Sequence, residues 1–259
     1  MRFIRYQYGS EAACFGWVNE DQLGRVDGDL FGGDYRRMET SLYLSSVKLL
    51  APVLPGKIIA VGRNYADHAR EQNAEVPEYP LLFLKAPSAV IGQGENILLP
   101  PQSERVDYEA ELGVVIGKKG RWIKTENAME HVFGYTIAND VTARDLQNRD
   151  GQWTRSKGFD TFCPIGPWIE TELDPSDALL YCRVNGQVRQ MSSTREMIFS
   201  VTQLIVFISS IMTLYPGDLI LTGTPAGIGA LMPGDVVEVE IDGIGRLKNP
   251  VEVDHHPLK

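Results

Sequence analysis

The stretch VDYEAELGVVIG, residues 106–117, decides how this chain is read. Its apolar residues alternate, so that Tyr108, Ala110, Leu112 and Val114 share one face of a strand while Glu109, Glu111 and Gly113 share the other. Two acids therefore point the same way, one pleat apart. Their repulsion inside a fold is relieved most easily by a cation between them. A solvated outer face is the plainer alternative for the two acids alone. Asp140 shifts the balance: it closes the apolar run FGYTIAND, and an acid at a strand end is well placed to join a site. Three carboxylates suit a hard divalent ion, Mg²⁺ or Mn²⁺. No histidine lies near these acids in sequence, which makes zinc the weaker choice.

Outward from this strand the punctuation divides the chain. Residues 1 to about 50 hold short alternating runs, MRFIRYQY and CFGWVN, and a Gly/Asp-rich stretch, VDGDLFGGDY. They predict a small N-terminal β-rich domain over 1–55, ahead of a catalytic domain over 56–259. KIIAVG reads as a buried strand, and RNYADHAREQNAEVPEYP carries helical residues up to a proline stop. LLYCRVNGQVRQMSS reads as a hairpin turning at Asn185-Gly186, and MIFSVTQLIVFISSIMTLYPG as a long helix ending at Pro-Gly. Strands outnumber helices and no βαβ alternation appears, so the expected class is α+β, mostly β.

Composition narrows the partners. With 259 residues, 43% hydrophobic and 23% charged, the chain supports one large core and a small annex. The formal charge is −9 and no Lys/Arg cluster appears, which argues against nucleic acid and for a small-molecule substrate. The N-terminus MRFIRYQYGS has no long apolar region and no stretch approaches a membrane span, so the expected location is cytoplasmic, away from membranes. Three isolated cysteines without CxxC spacing fit a reducing compartment.

The motifs AVGRNYADHARE, LFLKAPSAVIG, VDYEAELGVVIG, ANDVTARDLQ, WTRSKGFDTFCPIGPW, VNGQVRQ and LILTGTPAGIG stand in order across residues 57 to about 250. Together they resemble the fumarylacetoacetate hydrolase family. The resemblance implies a mixed β-sandwich roll, usually homodimeric, with a divalent ion held at Glu109, Glu111 and Asp140. It gives Lys157 the place of a lysine beside the metal, although as a lone lysine it would be read as surface. His68 and Glu71 stand three apart in a helical segment and can hydrogen-bond. A histidine so paired is a general-base candidate, and the resemblance makes this helix a lid over the metal. Arg144 and Gln147 match pocket positions of the family and Thr224 its TGTP loop, with a solvated helix start and a ligand-free Gly/Pro turn as the plainer alternatives; Arg63 and Tyr65 open the lid segment, where Arg63 meets an anionic substrate or only pins the loop, and Lys85 is a further pocket candidate.

The reading that follows is a metal-dependent enzyme that cleaves a C–C bond in a small 2-oxo or diketo acid through an enolate, with His68 and Glu71 activating water and Lys157 with Gln147 steadying the oxyanion. Two alternatives stand beside it. One is an isomerase of the 2-hydroxyhepta-2,4-diene-1,7-dioate type from aromatic catabolism, or a decarboxylase; the other is a binding protein that kept the fold without the chemistry.

Overall fold

A computed structural model describes residues 1–255. Its central feature is a large, mostly antiparallel sheet. Strand Ala110–Ile116 pairs on one side with Val132–Asn139 and on the other with Leu219–Leu221, which continues to Ile58–Gly62 and the outer strand Leu81–Lys85. Every residue of Ala110–Ile116 is buried, on both faces. The sequence alternation thus separates two buried surfaces, one apolar and one carrying the acids, and the solvated-face alternative falls away.

A five-stranded sheet, which includes Leu179–Val184, Gln187–Ser193, Val236–Ile241 and Gly245–Val253, packs across the central strands. The hairpin turns where expected. Asn185 and Gly186 take φ of 52° and 77°, the left-handed pair of a two-residue turn. The N-terminal strands Arg2–Gln7, Cys14–Asn19, Gln22–Asp29 and Asp34–Tyr43 extend the central sheet through pairing of Arg2 and Phe3 with Glu170 and Ile169. The fold class is α+β, mostly β, as the pattern predicted.

Two helices are shorter than their apolar runs suggested. The segment from Met197 forms a helix only over Val201–Ile211, because Ser200 and Gln203 make a capping box that starts it there. Ahead of it Ile198 and Phe199 are tied to Asn64 by hydrogen bonds from their N–H groups at 2.8 and 2.7 Å. Beyond it Met212 is extended and Leu214 bridges to Gly120. The apolar face of this helix, Leu204, Ile205 and Ile208, joins the main core. The lid segment is helical only over Ala66–Glu71, and Asn73 at φ 52° turns the chain out of it. Six residues lie below the length at which a helix is stable alone, so this one depends on its contacts.

The register explains how distant motifs meet. Ala110 faces Asn139 and Gly113 faces Leu221, while Leu219–Leu221 runs parallel to Ile58–Gly62. The N-terminal end of the acid strand and the C-terminal ends of its three neighbours therefore gather at one edge of the sheet. From there the chain enters Asp140, the loop at 222–227 and the lid.

Candidate active site

Glu109 sits in the break between Val106–Tyr108 and Ala110–Ile116, where its N–H is taken by the Asn139 side chain at 2.9 Å and its carbonyl accepts from the Asp140 N–H at 2.8 Å. That cross-strand exchange sets Asp140 beside the acid pair. One oxygen each of Glu109, Glu111 and Asp140 lies within 4.8 Å of the other two, and the three residues are 4%, 1% and 1% exposed.

Lysines and an arginine answer part of this charge. Lys157, at the end of the short helix Thr154–Lys157, donates to Glu109 at 2.7 Å and to Asp140 at 2.6 Å. Both acids hold its ammonium charged, against the opposing pull of burial. Arg144 bonds Glu109, Asp107 and Gln147. Burial would raise the Glu109 carboxyl, but Lys157 and Arg144 outweigh it and bring the carboxyl well below the usual range. Lys85, expected among the substrate contacts, has no exposed side chain and instead pairs with Asp140 Oδ1 at 2.6 Å.

Glu111 differs from its neighbours. Among the described residues it has no ion pair, and it accepts only the Gly223 N–H at 2.7 Å. Burial, then the charges of Asp140 and Glu109, push its carboxyl well above the usual range. Three buried carboxylate oxygens converging on one point, one of them short of positive charge, fit a hard divalent ion.

The lid closes over this cluster. His68 Nδ1 lies 3.0 Å from Glu71, and Gln72 Nε2 donates to His68 Nε2 at 3.1 Å, a pattern that assigns the ring proton to Nδ1. The other oxygen of Glu71 accepts the Gly227 N–H at 2.9 Å. The histidine that is remote in sequence is therefore a wall of the same small cavity as Glu109, Asp140, Lys157, Gln147 and Thr224. Only about 10 Å³ is left free inside it.

Outside lies a polar vestibule of about 470 Å³. Arg63, Arg105 and Arg144 all line it. Arg105 is bound by Asp107, whereas Arg63 has no acidic partner among the described residues and reaches only Gln72 Oε1 at 3.4 Å. Arg63 also holds a left-handed backbone, φ 56°, an arrangement that a side chain without a glycine's freedom adopts at a cost. Tyr65 lines neither space. Its hydroxyl is buried without a hydrogen-bond partner, and burial and then the Glu111 charge push it above its ordinary value.

Several residues at the site carried no signal in the sequence. Asp107 follows its strand as an ordinary polar residue, yet it anchors both Arg105 and Arg144. Trp153 roofs the cavity and packs on Phe83, with Gly62 left bare beneath it. Gln72, one residue past the lid helix, caps the histidine. Nothing local in the sequence marks these pairings, since each depends on partners far along the chain.

Comparison with known proteins agrees with the topology. Residues 57–252 match the family described as fumarylacetoacetate (FAA) hydrolase C-terminal, and residues 1–52 match one described as Rv2993c-like, N-terminal. An uncharacterised protein of Methanocaldococcus jannaschii is 59% identical over 77% of this chain and 84% of its own length. The mitochondrial oxaloacetate tautomerase FAHD2A of Bos taurus is 51% identical over 80% of this chain and 70% of its own. A crystal structure of 2-hydroxyhepta-2,4-diene-1,7-dioate isomerase from Mycobacterium marinum superposes with a TM-score of 0.91 at 41% identity, covering 99% of this chain and all of the other, 100%. Among the described residues no helix is long and apolar enough to cross a membrane.

Proposed function

The chain belongs to the fumarylacetoacetate hydrolase family, and from that premise we propose that it moves a proton at the carbon next to the oxo group of a small 2-oxo dicarboxylate of the oxaloacetate type, through the enolate. The observation that carries this reading is the His68–Glu71 pair: Glu71 holds Nδ1, which leaves Nε2 as the basic nitrogen, and His68 lines the cavity shared with Glu109, Asp140 and Lys157.

Glu109, Glu111 and Asp140 would hold a divalent ion, Mg²⁺ or Mn²⁺, which when bound would supply Lewis-acid chemistry to the 2-oxo group. The protein's own groups do the rest. Arg63, with no acidic partner, takes the distal carboxylate from the vestibule. His68 Nε2 receives the C3 proton while the C–H electrons move toward C2 and its oxygen. Glu71 stabilises the imidazolium that forms, in the way a carboxylate orients a histidine base. Lys157 and Gln147 lie within the same cavity and steady the negative oxygen. Returning the proton to oxygen gives the enol, and returning it to carbon restores the keto acid.

Cleavage of a C–C bond, the first expectation from the sequence, becomes the second reading. The tautomerase and the isomerase among the similar proteins favour proton transfer over bond cleavage, while a similar structure from Exiguobacterium antarcticum is named a fumarylacetoacetate hydrolase. One observation keeps hydrolysis in view: a histidine held by a carboxylate, as His68 is by Glu71, is also the arrangement of a base that activates water. Both follow from one assay. The Mn²⁺-loaded protein is mixed in parallel with enol oxaloacetate and with acetylpyruvate, and ketonisation and cleavage are followed. The proposal expects fast ketonisation lost with EDTA and in His68→Gln, and rapid cleavage of acetylpyruvate without ketonisation would overturn it.

A further inference from the structure

The break in the acid strand leaves a backbone group to be satisfied. Ala110 lies between Glu109 and Glu111, and its N–H is taken by the side chain of Gln190, a residue from the hairpin strand Gln187–Ser193. Gln190 Oε1 accepts from Ala110 at 3.0 Å, while Nε2 donates at 2.8 Å to both Thr224 Oγ1 and the Pro225 carbonyl. The side chain is buried and fully used. A single amide thus ties the acid strand to the loop at 222–227.

That loop is the lid's receiver. Gly223 N–H holds Glu111 and Gly227 N–H holds Glu71, while the Gly227 carbonyl accepts from the Tyr108 hydroxyl at 3.0 Å. Gly227 stands at φ 101°, and a Cβ there would come within 2.2 Å of the Arg189 carbonyl, so the hairpin and the loop fit only with glycine. The Glu71 carboxylate bridges Gly227 to His68 through its two oxygens. An unbroken set of hydrogen bonds runs from the acid strand through Gln190 and the loop to the base.

We infer that Gln190 is a positioning residue that holds the 222–227 loop where the lid carboxylate can dock, and so sets the place of His68 over the acids. Gln190 touches no reacting atom; it acts through its bonds to Thr224 and Pro225 in the loop and to the Ala110 N–H in the acid strand. The effect on turnover rests on the reading of His68 as the base; the effect on the lid does not.

The test is amide hydrogen exchange of the metal-free protein, comparing residues 66–72 with the helix Val201–Ile211 in wild type and Gln190→Met. Methionine keeps the length and removes the three hydrogen bonds. Exchange at 66–72 should rise at least about tenfold, the scale of one or two lost hydrogen bonds, with the helix at 201–211 unchanged. Unchanged exchange at 66–72, or an equal rise at both segments, overturns the inference, the latter by making Gln190 a packing residue. If Gln190→Met does not fold, Gln190→Glu decides: it keeps an acceptor for the Ala110 N–H and removes the donor to Thr224 and Pro225, and a selective rise at 66–72 supports the inference while none overturns it. No substrate enters this experiment, so its failure is separate from a failure of the wild type to ketonise oxaloacetate.

Discussion

The acid cluster and the lid face each other across one small cavity and are built by opposite means. Glu109, Glu111 and Asp140 hang from strand ends and Lys157 from the end of a short helix; all four are almost wholly buried and answer one another charge for charge except at Glu111. The lid is a six-residue helix with Asp67 and Arg70 toward solvent, held down by a few polar bonds at Glu71 and at Gln72 just past its end. In the proposed mechanism one region is an electrostatic frame and the other carries the proton. Fixed strand ends suit an ion whose ligands must not wander. A light lid suits a base that must admit substrate and then exclude water.

The sharpest way to break this contrast is at Glu111. Glu111→Gln should cost on the order of 10⁴-fold or more in metal-dependent turnover, the several kcal/mol that a Lewis acid supplies. It should also raise the melting temperature of the metal-free protein. The sign follows from the raised carboxyl: the folded state holds its proton more tightly than the unfolded, so ionisation subtracts stability as pH rises above the unfolded value near 4.3. Metal-free wild type should therefore lose thermal stability relative to Glu111→Gln between pH 5 and 8, and Mg²⁺ should restore it in wild type only. Thermal melts with and without EDTA read both effects.

Lys157→Met tests the frame from its positive side. Removing the buried ammonium leaves Glu109 and Asp140 less compensated, and about 3–5 kcal/mol of stability should be lost in denaturant unfolding. His68→Gln tests the lid instead. Turnover should fall about 10³-fold while Mn²⁺ affinity and unfolding midpoint stay near wild type, since the ring ligates nothing in the frame. A loss of Mn²⁺ binding in that variant would merge the two regions that the account separates. The smallest change is Glu71→Gln, which keeps an acceptor for one of the two N–H groups that Glu71 holds and removes the charge; turnover should drop about tenfold, seen as kcat at saturating substrate.

The frame was far more legible in the sequence than the lid's surroundings. Glu109, Glu111 and Asp140 stand in runs whose periodicity names their face, and Asp140 follows a strand whose end is marked. His68 and Glu71 were readable because they are three apart on one turn of helix. The burial of the acid face was not readable, because alternation gives the same signal for a solvated and an internal surface. Lys85 carries no local sign that it will be a counter-ion to Asp140 rather than a substrate contact. Helix lengths read from apolar runs are too long where a run crosses a cap, as at Ser200, or where the chain is pinned by Asn64 from the loop after Ile58–Gly62. Gln190, Asp107 and Trp153 take their roles from register and close packing across the chain, which no short window contains.

The most direct test of the central claim is deuterium uptake at C3 of oxaloacetate in D₂O, followed by NMR with Mn²⁺-loaded and then EDTA-treated protein and with His68→Gln. The account predicts uptake well above the enzyme-free rate for metal-loaded wild type and background uptake for the other two. Uptake that persists in His68→Gln, or its absence in metal-loaded wild type, would contradict proton transfer by the lid histidine over a metal-bearing frame.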